Sequence, residues 1–240
     1  MNPCIEVKNL SKSFKGRCVV KNLSFAVNKQ EVFGLLGHNG AGKSTTIETL
    51  LGLKKADSGT VSILGKEPRK HRKEIFEKVG VQLQASNYQN AIRVDEICQE
   101  ISVLYREPAD YHALLQKFKL ESLEKAQVNK LSGGERQKLS VVLALIPNPE
   151  IIFLDELTTG LDTAARREVW RNLTQLKEEG TTIVLTTHYM EEAESLCDRI
   201  CLIKEGQKVV EGTVKDVIAG SPYDNLEEAY LWYMGEEVLL

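Results

Sequence analysis

The sequence predicts an α/β fold with a largely parallel β-sheet and a helical segment inserted into it. Short apolar runs alternate along the chain with segments of helical periodicity, and this alternation is typical of parallel sheets. From about residue 95 to residue 147, three segments have helical spacing of apolar residues and no convincing strand separates them, which predicts the insert. The length of 240 residues fits one large domain, or a core with such an insert.

Strands are predicted where apolar residues alternate with polar ones or form short unbroken runs. Ile5–Val7 and Leu23–Val27 alternate, whereas Glu31–Leu36 is a compact apolar run of the kind expected in a strand buried on both faces. Further strands are predicted at Val61–Leu64, Val79–Leu83, Ile151–Leu154 and Thr181–Leu185, with a hairpin at Ile200–Lys204 and Lys208–Glu211.

Helices are predicted where apolar residues recur with a period close to 3.6 residues. These segments are Lys43–Leu51, Asp95–Tyr105, Asp110–Phe118, Glu135–Ile146, Thr163–Lys177, Tyr189–Cys197 and Asn225–Tyr233. Taken with the strands, they divide the chain into a core at about residues 1–87 and 149–222, a helical insert at 88–148 and a helical tail at 223–240.

Composition excludes several classes of protein. Apolar residues make up 42% of the chain and charged residues 27%, which argues against disordered, collagen-like and coiled-coil chains. The 31 basic and 34 acidic residues give a net charge of −3, so no nucleic-acid partner is expected. The longest unbroken apolar run, Val141–Ile146, is far shorter than the roughly 20 residues that cross a bilayer.

The N-terminus and the cysteines indicate a cytoplasmic protein. No apolar h-region follows Met1, so no signal peptide is expected. The five cysteines are scattered and no pair has C-x-x-C spacing. We therefore expect reduced thiols that pack in the interior rather than disulfides or a zinc site.

A glycine-rich loop follows the first fully apolar strand. The run Gly37–Ser44 matches the pattern G-x-x-x-x-G-K-[ST], and a helix is predicted directly after it. Glycines let the backbone curl so that several N–H groups converge on phosphate oxygens, while the helix N-terminus favours negative charge. Lys43 adds a positive charge for the β- and γ-phosphates and Ser44 offers a hydroxyl to Mg²⁺, which together predict a nucleoside triphosphate site.

Two carboxylates end the strand at Ile151–Leu154. Parallel strands present their carboxyl ends where ligands bind, so Asp155 is predicted to hold Mg²⁺ and Glu156 to polarise the attacking water. Taken alone, this pattern fits equally well a strand that ends in solvated acids. Its occurrence in the same chain as the phosphate loop favours the functional interpretation.

A second pair of glycines precedes the helix predicted at Glu135–Ile146. Ser132 and Glu135 have the S-x-x-E spacing of a capping box, but a cap does not need the adjacent Gly133 and Gly134. Glycines at a helix N-terminus make a second anion site within one chain. Two phosphate sites in one small domain indicate that two chains share each nucleotide.

In order and spacing, these motifs resemble the nucleotide-binding subunit of an ABC transporter, over nearly all of the chain. Gly37–Ser44 resembles the Walker A loop, Leu131–Glu135 the family signature, and Asp155 with Glu156 the end of Walker B. Four further positions resemble the D-loop, the switch histidine, the Q-loop glutamine and the aromatic residue that stacks on adenine; they are Leu161 with Asp162, His188, Gln84 and Phe14.

The resemblance implies a P-loop NTPase fold, namely a RecA-like core with N-terminal antiparallel strands and an inserted α-helical subdomain. It implies an ATPase that acts as a head-to-tail homodimer or heterodimer with a membrane permease, at the inner face of the cell membrane. Implied ATP contacts are Phe14, Gly37, His38, Asn39, Gly40, Ala41, Gly42, Lys43, Ser44 and Thr45, and from the second chain Ser132, Gly133, Gly134 and Glu135. Implied Mg²⁺ ligands are Ser44, Gln84 and Asp155, and implied catalytic residues are Glu156, His188 and Gln84.

The chain differs from the commonest sequence of the family's motifs at three positions. Glu135 replaces a Gln, Leu157 replaces a Pro, and His38 replaces a frequent Pro; none of these changes removes a group that does chemistry. The change at Leu157 frees the backbone of the D-loop.

Several of these assignments have alternatives. Gln82 competes with Gln84 for the Q-loop position, and Phe14 fits core filling as well as stacking on adenine. The tail is expected either to form dimer contacts or to pack as a terminal helix.

The function also has alternatives. The segments Leu131–Lys138, Thr187–Glu194 and Arg199–Gly212 are most similar to bacterial ABC-2-type exporters, a group that includes drug and antimicrobial-peptide efflux systems. The other interpretations are a soluble ABC-type ATPase that acts on DNA or ribosomes, and a regulatory module that binds nucleotide without hydrolysing it.

Overall fold

A computed structural model describes residues 3–83, 88–89 and 91–236. Its strands are β1 (Ile5–Phe14), β2 (Arg17–Val27), β3 (Val32–Leu36), β4 (Ser58–Ile63), β5 (Val79–Gln82), β6 (Ile151–Asp155), β7 (Thr182–Thr187), β8 (Arg199–Lys204) and β9 (Gln207–Thr213). Its α-helices are α1 (Lys43–Leu50), α2 (Arg72–Phe76), α3 (Val94–Ser102), α4 (Tyr111–Lys117), α5 (Gly133–Leu145), α6 (Thr163–Glu178), α7 (Met190–Leu196), α8 (Val214–Ala219) and α9 (Leu226–Met234).

The larger sheet carries the phosphate loop and both carboxylates at one edge. Its strand order is β5-β6-β7-β3-β8-β9, and every pairing in it is parallel except that of β8 with β9. The register places Leu36 opposite Thr187 and Asp155 opposite Thr186. The segments that leave β3, β6 and β7 therefore begin side by side, and the predicted α/β class with a mostly parallel sheet is confirmed.

Both faces of this sheet are covered, which explains the unbroken apolar runs. On β6, Ile152 and Leu154 pack into a cluster with helices α3 to α7, whereas Ile151 and Phe153 pack into a second cluster with the small sheet and α1. Successive strand residues point to opposite faces, so a strand buried on both sides has no polar positions to alternate with.

The smaller sheet, of order β2-β1-β4, is antiparallel and longer than predicted. Strands β1 and β2 form one hairpin whose turn residues, Lys15 and Gly16, have φ values of 47° and 81°. Positive φ at two successive turn residues suits the twist of a two-residue hairpin. The strand predicted at Ile5–Val7 was too short because residues 8–13 are mainly polar. Register shifts also interrupt the pairing of these residues with β2, so apolar and polar residues do not alternate along them.

Helices α2 and α8 were missed, and the tail was predicted correctly as helical in its described part. The missed helices have five and six residues, too few for a periodic pattern. Helix α9 packs on α7 and α8 with Leu226, Ala229 and Met234 buried, as a terminal helix does. The proposed division into core, insert and tail stays a prediction, as does any role of the tail in dimer contacts.

The cysteines are free thiols, and four of them, Cys4, Cys98, Cys197 and Cys201, are buried as expected, whereas Cys18 is exposed and the expectation is wrong for it. Burial raises the pKa of the Cys98 and Cys201 thiols to about 12, because a thiolate is poorly solvated in the interior. Within residues 3–83, 88–89 and 91–236, none of the helices is both long enough and apolar enough to traverse a membrane.

Candidate functional site

The loop after β3 forms a tight cradle at the N-terminus of α1. Gly42 precedes the helix with φ of 104°, and no side chain caps the helix there. A Cβ at Gly42 would lie 2.7 Å from the carbonyl oxygen of Val19, so glycine is needed for both the conformation and the space. The first-turn N–H groups of α1 have no acceptor within the helix, which makes this end a fitting site for an anion.

Lys43 is buried in the floor of this cradle, with 3% of its surface exposed. Its Nζ donates to the carbonyl oxygens of Gly37, at 2.7 Å, and His38, at 3.2 Å, and lies 3.2 Å from Oε1 of Glu156. A buried ammonium group needs such acceptors. Its charge is therefore held at the centre of the loop by oxygen atoms, as a phosphate site requires.

Asp155 and Ser44 lie side by side on the wall of the cradle. The hydroxyl of Ser44 donates to Oδ1 of Asp155 at 3.2 Å, and the hydroxyl of Thr186 donates to the same oxygen. The backbone N–H of Asp155 donates to Oε1 of Gln82 at 3.1 Å. A carboxylate and a hydroxyl held together are hard oxygen donors, so these residues fit Mg²⁺.

Glu156 is directed back over the loop by an unusual backbone conformation. Its φ is 50°, and its N–H donates to the carbonyl oxygen of Thr186 at 3.2 Å and to the hydroxyl of Thr186 at 3.0 Å. A left-handed conformation is uncommon outside glycine and clusters at functional sites. The turn brings the Glu156 carboxylate to Lys43 rather than letting it follow the strand into solvent.

His188 faces the same carboxylate from the end of β7. Its Nδ1 lies 3.7 Å from Oε1 of Glu156, which is beyond hydrogen-bond distance. Among the described residues, no hydrogen-bond partner reaches this buried atom. The His188 ring contacts the Tyr189 ring at 4.2 Å between centroids, and the guanidinium of Arg166 lies 4.6 Å from the Tyr189 centroid. The imidazole is thus held in place, with Nδ1 buried toward the Glu156 carboxylate and 27% of the side chain exposed.

A cleft of about 290 Å³ lies over the loop and Glu156. Its described lining residues are Val19, Asn39, Gly40, Gly42, Lys43, Ser44, Thr45 and Glu156. Gln84 lies outside the described residues, so its assignment stays a prediction. The competing Gln82 is buried in β5 and already bonded to the backbone of Asp155.

Phe14 is exposed at the end of β1, with 38% of its surface accessible. The ammonium groups of Lys12 and Lys54 lie 5.1 and 4.9 Å from its ring centroid. The interpretation as core filling is therefore wrong, and stacking on adenine stays a prediction.

The second glycine segment forms the exposed N-terminus of α5. Glu135 N–H donates to the Ser132 hydroxyl at 3.3 Å, and Ser132 N–H donates to the Glu135 carboxylate at 2.7 Å, so the predicted capping box is present. The backbone hydrogen bond lowers the pKa of Glu135. A Cβ on Gly134 would lie 3.4 Å from that of Ala165, so this end adjoins the start of α6, where Asp162 is the N-cap.

Two positions in the site, Thr186 and Val19, were not singled out from the sequence, and a third, Gln82, was considered only as an alternative to Gln84. Thr186 bonds both carboxylate residues, Gln82 bonds Asp155, and the Val19 carbonyl oxygen lies so close to Gly42 that it leaves no space for a side chain there. The sequence did contain a signal that could have identified Thr186, because this residue lies near the end of an apolar strand just before His188. The roles of Gln82 and Val19 depend on which strands become neighbours, which no local pattern states.

Comparisons with known proteins identify the family to which these features belong. The family described as "ABC transporter" matches residues 20–159. Nod factor export ATP-binding protein I of Burkholderia lata is 42% identical over 213 residues, which cover 87% of this chain and 70% of that protein.

Solved structures are also similar. An ATP-binding subunit of an ABC transporter has a TM-score of 0.87 at 27% identity and covers 96% of this chain and 99% of its own. A dimeric ATP-binding cassette in a post-hydrolysis state, bound to ADP and Pi, has a TM-score of 0.78 at 25% identity, over 87% of this chain and 98% of its own.

Proposed function

This chain belongs to the ABC transporter family as an ATP-binding subunit, and we propose that it hydrolyses ATP to drive export through a separate membrane-spanning protein. The observation that carries the proposal is the position of Lys43 between the loop carbonyls and Glu156, beside the Ser44–Asp155 pair. Positive charge, a carboxylate for water and oxygen ligands for a cation thus meet in one cleft. The direction of transport follows the named function of the Burkholderia lata relative, an export protein.

Binding of ATP would use groups that now contact one another. Phosphate oxygens would replace the Gly37 and His38 carbonyls as acceptors for Lys43, and the N–H groups at the start of α1 would donate to them. Asp155 and Ser44, with Gln84 as the predicted third ligand, would hold Mg²⁺, which when bound neutralises charge on the phosphate oxygens.

Hydrolysis would depend on Glu156 and His188. The Glu156 carboxylate would accept a hydrogen bond from the attacking water and orient it toward the terminal phosphate. His188, whose side chain is 27% exposed and lies beside this carboxylate, would contact the phosphate. Lys43 supplies the positive charge where negative charge develops.

A second copy would complete the site. Ser132 and Gly133 are exposed beside the start of α6, and they offer helix N–H groups to a nucleotide held by another chain. The comparison cassette bound to ADP and Pi is a dimer. We propose a head-to-tail homodimer or heterodimer that opens after phosphate release, at the inner face of the cell membrane, where it acts on its permease.

Affinity capture of the intact chain from detergent-solubilised membranes tests the proposed function. A multi-span membrane protein should be recovered in stoichiometric amount, and the recovered complex should hydrolyse ATP. Recovery of ribosomes or DNA instead would support the soluble ABC-type ATPase. ATP binding without hydrolysis in the recovered complex would support the regulatory module.

Replacing Ser132 with Asp should abolish hydrolysis while leaving ATP binding to one chain unchanged. Aspartate caps a helix as well as serine, so α5 keeps its N-terminus. A negative charge would then face the phosphates held by the second copy, which should weaken the ATP-dependent dimer at least about tenfold. Light scattering with ATP and steady-state hydrolysis measure the two effects.

The matched control is Ser132→Thr, which keeps the cap and adds no charge, and which should retain both dimerisation and hydrolysis. Full activity of the Asp variant would contradict the assignment of Ser132 to a shared nucleotide site.

A further inference from the structure

Glu192, in α7, is a buried carboxylate that the proposed reaction does not use. Only 3% of its surface is exposed. Its Oε1 accepts hydrogen bonds from the hydroxyl of Thr158, at 2.9 Å, and from the indole N–H of Trp170, at 3.1 Å. A buried carboxylate is costly unless it is hydrogen-bonded, so these contacts fix its position firmly.

The three side chains belong to three separate segments around the site. Thr158 lies in the turn that runs from Glu156 to Asp162, Trp170 lies on α6, and Glu192 lies on α7. The turn is tight, because Thr159 N–H donates to the Glu156 carbonyl at 3.2 Å. A hydrogen bond that fixes the position of Thr158 therefore also restricts the backbone of Glu156, two residues away.

The other end of the hydrogen bond leads to His188. Helix α7 begins at Met190, directly after the loop that carries His188, and Ala193 N–H donates to the Tyr189 carbonyl at 3.3 Å. Glu192 therefore lies on the first turns of the helix that holds the histidine. Since Glu156 and His188 leave neighbouring parallel strands, the hydrogen bond between Thr158 and Glu192 joins their two segments a second time.

We propose that Glu192 is a positioning residue that fixes Glu156 relative to His188 through its hydrogen bond with Thr158. The inference rests on the proposed function, in which these two residues act on the same phosphate. Catalytic groups must be held to well within about 1 Å for full rate. Leu157, buried on the same turn with 3% of its surface exposed, also anchors the backbone of this turn.

Replacement of Thr158 with Val tests the proposal. Valine has nearly the same shape but cannot donate, so the turn should keep its fold and lose its link to Glu192. We expect kcat for ATP hydrolysis to fall about tenfold with unchanged ATP affinity, because Thr158 is 1% exposed and does not line the described part of the cleft. Thr158→Ser, which keeps the hydroxyl, should restore the rate.

Trp170→Phe is the matched control. It removes the other donor to Oε1 of Glu192 and leaves the hydrogen bond between Thr158 and Glu192 intact. Both variants should lose thermal stability, and only Thr158→Val should lose kcat. A second measurement is a double-mutant cycle of Thr158→Val and Glu192→Leu. The kcat of the double variant should be no lower than that of the slower single variant.

A purely structural role is the result that would overturn the proposal. It would appear as Thr158→Val with a lowered melting temperature and a normal kcat, or as additive losses of rate in the cycle. Absence of hydrolysis in the unmodified chain recovered with its membrane partner would contradict the proposed function itself, and this inference with it.

Discussion

Replacing Glu156 with Gln is expected to lower steady-state ATP hydrolysis by roughly 10²- to 10⁴-fold, the usual effect of removing a general base. The amide fills the same space but cannot attract a proton from water. ATP affinity should be unchanged or higher, since Oε1 of Glu156 lies 3.2 Å from Lys43 and its negative charge competes with phosphate for that ammonium group. The ATP-bound dimer should therefore accumulate. Phosphate release and light scattering with ATP measure the two effects.

The matched control is Glu150→Gln. Glu150 is also next to β6, but its exposed carboxylate pairs with Lys78 at the surface, where an ion pair contributes little. That variant should hydrolyse ATP at the normal rate. Undiminished hydrolysis by the Glu156 variant would refute its assignment, whereas loss of both ATP binding and hydrolysis would indicate a general collapse of the cleft.

The parts of the site that could be predicted are those in which one short stretch of sequence carries both the chemistry and the geometry. The Gly37–Ser44 loop is of this kind, because the turn, the helix start and the charged side chain are all local. Asp155 and Glu156 were assigned to the ligand-binding edge by a simple rule, namely that parallel strands present their carboxyl ends there, whereas His188 was assigned through the family resemblance. These assignments needed no knowledge of side-chain contacts.

The parts that could not be predicted depend on contacts between distant segments. Thr158 and Glu192 are 34 positions apart, and Gln82 and the Asp155 backbone are 73 apart. Nothing in the sequence distinguishes Glu192 from its acidic neighbours Glu191 and Glu194, which would all suit a solvated helix face. Only the docking of α7 against α6 determines that this particular carboxylate is buried.

The left-handed backbone at Glu156 is a further example of this limit. The pattern of four apolar residues and two acids says that both carboxylates lie at the sheet edge, and it does not say that the second one turns back over the loop. That turn is held by the two hydrogen bonds from its N–H to Thr186 on the neighbouring strand. The strained conformation of Glu156 therefore depends on the pairing of its strand with the neighbouring strand. It places the carboxylate over the loop instead of in solvent, where it is a candidate catalytic group.

Replacing Lys43 with Met should lower ATP affinity by at least about a hundredfold, which corresponds to roughly 2.7 kcal/mol. Methionine keeps most of the length and the apolar stem but removes the ammonium group that the loop carbonyls hold in the cleft. Fluorescence titration with ATP measures the loss. The control is Lys66→Met, which removes an ammonium group that pairs with Glu74 at the surface and should bind ATP normally.

The Lys43 variant also loses the buried pair with Glu156, so its stability must be separated from its affinity. Removing one member of a buried ion pair leaves the other charge uncompensated and destabilises the fold. Combining Lys43→Met with Glu156→Gln removes both charges and should restore much of the free energy of unfolding, but it should not restore ATP binding. Recovery of ATP affinity in the double variant would show that Lys43 serves the ion pair rather than the phosphates. Continued loss of affinity in a stable double variant would assign the ammonium group to the nucleotide.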